Sequence, residues 1–128
     1  METLIIEATP KSPYIYCDAK KGIVEMSGRG LLENTPEFMK PVLDWFNKFQ
    51  QPHNITPLQV NCRFEYYNTS FSKELLTIFR ILADVYQMGV KITINWYWEE
   101  EDTDMLGDGE NFCRIAQIPF NYYMVVKN

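Results

Sequence analysis

One histidine, His53, and three widely separated cysteines, Cys17, Cys62 and Cys113, are all the imidazole and thiol that 128 residues supply. Metal centres built from Cys and His draw on several such residues at close spacing, and no such cluster is written here. Three scattered cysteines do not make a disulfide framework either, so they are expected as small buried thiols in a reducing cytoplasm. No run of Lys and Arg occurs, and 12 basic against 17 acidic side chains leave a net charge of −5. Phosphate backbones and anionic bilayers attract clustered cations, so neither nucleic acid nor a membrane surface is an expected partner. No segment approaches the ~20 apolar residues that span a bilayer. Residues 1–7 lack the basic flank and apolar stretch of a signal peptide. Phosphate loops (Gly-x-x-x-x-Gly-Lys), zinc-protease helices (His-Glu-x-x-His) and serine-hydrolase elbows (Gly-x-Ser-x-Gly) are all missing. No catalytic residue, cofactor or metal is expected.

What is present is an aromatic-rich chain, with eight Phe, eight Tyr and three Trp. That content excludes a disordered polymer, and the length suits one domain over residues 1–128. Tyr14-Ile15-Tyr16-Cys17 and Ile23-Val24-Glu25-Met26 flank a turn-forming segment and predict a hairpin, with an edge strand from Leu4 to Glu7. Thr35 and Pro36 suit the N-cap and first turn of a helix whose apolar positions run from Phe38 to Phe49, with Pro41 inside it. His53 falls in a following loop beside Pro52, where a lone histidine reads as a solvated side chain. Leu58, Val60, Cys62, Phe64 and Tyr66 alternate with polar residues, the period of a strand with one apolar face. A helix from about Ser70 to Met88, closed by Gly89, leads to a second alternating strand through Val90, Ile92, Ile94, Trp96 and Trp98. Strand, helix, strand implies a parallel pair. The acidic run from Glu99 to Asp104 reads as a solvated loop, followed by a helix over about 108–117 and a last strand over 120–126. Asp102 to Gly107 matches a calcium loop only in part, because Leu106 and Cys113 stand where ligands are needed. The fold class is therefore α/β: a mixed sheet with an N-terminal β-hairpin, a central βαβ unit and helices packed on the sheet.

The junction Tyr66-Tyr67-Asn68-Thr69-Ser70-Phe71-Ser72 joins the carboxyl end of a strand to the start of the long helix. In α/β sheets that end of the strands is where ligands gather. Asn, Thr and Ser also cap helices, and capping is the simpler reading of the residues taken alone. Three capping-competent residues in a row exceed what one helix uses, and no strict capping box forms. Along the helix, Lys73, Thr77, Arg80, Asp84 and Gln87 make a narrow polar stripe, with Leu76 beside it.

Tyr67-Asn68-Thr69-Ser70, the following apolar helix and the aromatic strand Trp96-Tyr97-Trp98 resemble the SiaC-type bacterial regulatory phosphoproteins. These are similar in shape to STAS domains, the anti-sigma-factor antagonists. The likeness runs from the Tyr14–Met26 hairpin through Glu33-Asn34-Thr35 and Asp44-Trp45-Phe46 to Phe120. It implies that Thr69 is phosphorylated by a cognate protein kinase and cleared by a PP2C-type phosphatase, with Asn68 and Ser70 around it. It also implies that the bare form binds and activates a diguanylate cyclase in the cytoplasm. STAS antagonists carry Asp before the phosphoacceptor, where this chain has Asn68, and Phe71 replaces a further small hydroxyl residue. Phe71, Leu76 and Arg80 are the expected partner contacts. Two other functions fit the residues: a constitutive interaction domain in which Asn68-Thr69-Ser70 only caps the helix, and a small carboxylate-dependent enzyme using Glu65.

Overall fold

The structure is a computed structural model that describes residues 1–49 and 56–126. The expected loop around Pro52 and His53 lies outside the described residues. Three short N-terminal strands, β1 (Leu4–Ile6), β2 (Tyr14–Asp18) and β3 (Ile23–Gly30), pair antiparallel. Helix α1 (Thr35–Phe49) then leads to β4 (Leu58–Tyr67), helix α2 (Thr69–Gln87) to β5 (Ile92–Glu99), and helix α3 (Thr103–Ala116) to β6 (Phe120–Val125). The six strands lie side by side in chain order, and β3 to β6 are mutually parallel. The hairpin and the βαβ unit are present, and the βαβ step is made three times rather than once.

Alternation explains which face is covered. Val24, Met26, Val60, Cys62, Ile94 and Trp96 have no exposed surface. They meet Met39, Val42 and Phe46 of α1 and Leu75, Ile78, Phe79 and Leu82 of α2 in one core. α1 continues through Pro41 because buried residues on both sides of it, Met39 and Val42, hold the helix to the sheet despite the missing N–H. The opposite face carries polar residues in register: Asn95 donates to Asn61 at 2.8 Å, and Asn121 donates to Asn95 at 3.1 Å.

Three expectations are corrected. Tyr66 is 60% exposed, while its neighbour Tyr67 turns inward. The register explains it: Gly28 faces Phe64 but Arg29 faces Tyr66, so Glu65 is an extra residue that reverses the phase of alternation. Thr35 is the first residue of α1 rather than its cap; its buried hydroxyl donates to the Leu32 carbonyl, and Phe38 N–H closes on Asn34. The acidic run is not simply a loop. Asp102 caps α3 by accepting from Met105 N–H at 3.1 Å, and Asp104 lies in its first turn, where the helix dipole favours a carboxylate. Residues 103–107 are therefore helix, which removes the partial calcium-loop match.

Candidate functional site at the start of α2

The strand-to-helix junction is fixed by Asn68. Its N–H donates to Gly30 O at 2.9 Å, its Oδ1 accepts from Phe71 N–H at 2.9 Å, and its Nδ2 donates to Leu32 O at 3.2 Å. One side chain thus caps α2 and ties it to the segment that enters α1. Aspartate could perform the first task but has no N–H for the second, which gives a local reason for Asn at this position. Asn68 is therefore the N-cap, and Thr69 and Ser70 are the first two residues of the helix.

That assignment leaves the Thr69 hydroxyl outside the cap. Thr69 is exposed, and its side chain makes no hydrogen bond with a described residue. The backbone N–H groups of Thr69 and Ser70 likewise meet no acceptor among the described residues, as expected at a helix start. The site is thus an exposed hydroxyl beside amide donors that meet no described acceptor, at the positive end of a 19-residue helix.

Thr69 opens onto two shallow depressions. One of about 220 Å³ is bounded by Tyr67, Asn68, Ser72 and Asp108. The other, about 240 Å³, runs between α2 and α3 past Lys73, Leu76, Phe112 and Ile115. Both are smaller than the ~300–1,000 Å³ pockets that enclose small molecules. The Tyr67 hydroxyl donates to Asp108 Oδ2 at 2.6 Å and joins the end of β4 to α3. Burial pushes the Tyr67 phenol well above its ordinary pKa, and the bond to the Asp108 carboxylate adds to the rise. It therefore stays a donor throughout the physiological range.

Residues 6–125 match the SiaC family of regulatory phosphoproteins. The chain belongs to the SiaC family. An uncharacterised protein of Pseudomonas aeruginosa strain UCBPP-PA14 is 28% identical over 120 residues, covering 94% of each chain. The crystal structure of apo-SiaC from Pseudomonas aeruginosa superposes with a TM-score of 0.87 at 28% identity, over 96% of this chain and 99% of that one. The structure of the diguanylate cyclase SiaD in complex with its activator SiaC, from the same organism, matches with a TM-score of 0.88 at 27% identity. It covers 95% of this chain and 99% of the matched chain. The α/β mixed sheet expected from sequence is thus the SiaC fold.

Within this SiaC-family chain, Asn68, Thr69 and Ser70 sit together at the start of α2, with Ser70 half-buried. Arg80 is exposed and Leu76 half-buried beside the groove. Phe71 is a correction: it has no exposed surface and cannot meet a partner. Its ring packs edge-on to Phe64, with centroids 5.3 Å apart, and a Cβ on Gly30 would lie 2.5 Å from it. The hydrophobic ring fills the space under the junction. Asp108 and Ile115 were not candidates from sequence. Their spacing with Asn111 and Phe112 puts all four on one face of α3, but nothing local couples Asp108 to Tyr67 across 41 positions.

Proposed function

We propose that this SiaC-family chain is a phosphorylation-switched activator of a diguanylate cyclase, acting in the cytoplasm by binding rather than by catalysis, as one domain over residues 1–128. A protein kinase places phosphate on Thr69, a PP2C-type phosphatase removes it, and the bare form is the one that binds. The observation that carries this reading is the division of labour at the junction: Asn68 caps α2, and the neighbouring Thr69 hydroxyl is exposed and bonded to no described residue. The family description and the complex of a relative with its cyclase support the choice of modification and partner.

The energetics favour such a switch. A phosphate adds about −1.5 to −2 charges and three strong acceptors. At the start of α2 the folded chain offers it the Thr69 and Ser70 amides and the positive end of the helix dipole, so the fold tolerates it. A partner surface packed on Thr69 would instead bury an unpaired dianion, at a cost on the order of 3–5 kcal/mol. A loss of ~3 kcal/mol already lowers affinity by about 150-fold.

Phosphosite mapping on the protein isolated from its native cells, lysed in chelator to stop a metal-dependent phosphatase, tests the reading. Substantial phosphate on Thr69 is the expected result. A chain bare at Thr69 under every growth condition would reduce the junction to a helix start and the domain to a constitutive binder.

A further inference from the structure

The six-stranded sheet forks at one end. The parallel register of β4 with β5 stops at Cys62 opposite Trp96, while β3 follows β4 as far as Tyr67 and β6 follows β5 as far as Glu99. The left-handed backbone at Gly28 and the extra residue Glu65 account for it, because a bulge sharpens the local twist of β4 and ends its pairing. Arg63 and Tyr97 follow Asn61 and Asn95 by two positions, and Glu99 follows Tyr97 by two. All three therefore share the polar face away from the helices. The cleft there measures about 300 Å³ and is bounded also by Ser27, Gly28 and Glu65. It reaches the lower end of the ~300–1,000 Å³ range of small-molecule pockets, which neither depression at Thr69 does. Tyr97 is half-buried and stacks on Tyr123, with centroids 5.1 Å apart, so the β5 wall is held in place. Arg63 and Glu99 stand on opposite walls, and neither forms an ion pair or a side-chain hydrogen bond with a described residue. Glu65 is already held by Arg29 at 2.8 Å.

We infer that this fork binds a small zwitterion of the α-amino-acid class. The cleft offers one guanidinium from β4 and one carboxylate from β5, with no described partner for either. A ligand carboxylate takes Arg63, whose planar donors suit two parallel bonds. The ligand ammonium takes Glu99, and the neighbouring Tyr97 ring adds its own attraction for a cation. Ser27 supplies a hydroxyl on the β3 side, and Phe64 and Val125 add apolar lining for a ligand side chain. Charge selects the class. A simple anion would leave Glu99 unpaired beside it, and a simple cation would face Arg63, so a ligand of one sign gains less than one carrying both. Because the helices cover the other face of the sheet, a ligand in the fork leaves the surface around Thr69 free. The inference does not depend on the Thr69 reading.

The test is thermal unfolding of the full chain with each common L-amino acid at about 10 mM, since a ligand of the folded state raises the melting temperature. At least one of them should raise it, with calorimetry giving the affinity. The N-acetyl and methyl ester derivatives of that amino acid each lack one charge, and each should bind the wild-type chain about tenfold or more weakly. Arg63→Gln and Glu99→Gln should each weaken binding of the parent amino acid by about tenfold or more, with an unchanged circular dichroism spectrum. Arg63 is exposed and Glu99 half-buried, so both variants are expected to fold, and the derivatives probe the same two contacts without altering the protein. No shift with any amino acid would overturn the inference. Wild-type affinity in either variant, or undiminished binding of either derivative, would overturn it as well.

Discussion

The Tyr67 hydroxyl and the Asp108 carboxylate, 41 residues apart, meet at 2.6 Å and close the space between β4 and α3 beside Thr69. The bond is charge-assisted and part-buried, the class whose loss is felt most. Tyr67→Phe removes the donor and leaves Asp108 without its partner. The expected loss is about 1.5–3 kcal/mol in urea unfolding, with an unchanged far-ultraviolet spectrum. A loss below ~0.5 kcal/mol would show that water replaces the phenol at no cost.

Capping and modification separate by mutation. Asn68→Ala deletes the cap and the bond to Leu32, and should cost about 1–2 kcal/mol. Thr69→Ala should change stability by less than ~0.5 kcal/mol, because its hydroxyl bonds to no described residue. Thr69→Glu should be neutral or stabilising by about 0.3–1 kcal/mol, since a carboxylate gains from the start of a helix. Chemical denaturation of the three variants checks the ranking, and a larger loss for Thr69→Ala than for Asn68→Ala would reverse the assignment.

Two glycines of α3 predict opposite signs. A Cβ on Gly109 would lie 2.5 Å from the buried Trp96 ring, whose Nε1 donates to Met105 O at 2.8 Å. Gly109→Ala is therefore expected to cost about 1–3 kcal/mol through overpacking. A Cβ on Gly107 meets nothing within 4 Å, and Gly107→Ala should gain about 0.5–1 kcal/mol by restricting the unfolded chain. Thermal unfolding of the pair checks both at once.

Thiol reactivity reports the core. Burial pushes the Cys17 thiol up to about 12 and raises that of Cys62 as well, so both stay protonated and shielded at pH 8. Native protein should react with Ellman's reagent at Cys113 alone, at most one thiol per chain, and release all three in guanidinium. Rapid reaction of two or three thiols without denaturant would contradict the packing of β2 and β4.

These results also show where local pattern ends and tertiary geometry begins. Leu58 to Phe64 alternate strictly and were legible as a strand, because each apolar residue has its own place in the core. The same rule failed at Tyr66, since the extra residue Glu65 depends on how β4 registers with Gly28 and Arg29 of β3. The start of α3 was obscured by acidic residues and by two glycines that lower helix propensity; Asp102 and Trp96 decide it, one by capping and the other by requiring Gly109. At the site, the run Asn68-Thr69-Ser70 marked the junction, but which of the three caps the helix was decided by the Leu32 carbonyl above Asn68. Phe71 looked available next to Thr69 and is instead the floor of the junction. Asp108 and Ile115 carried no local signal, because their partners lie on other elements.

The most direct test compares the bare chain with the same chain phosphorylated stoichiometrically at Thr69, each titrated into its cognate diguanylate cyclase under one salt condition. The account predicts tight binding and cyclase activation by the bare form, and at least ~30-fold weaker binding by the phosphorylated form with the fold intact. Equal affinity of the two forms would contradict it.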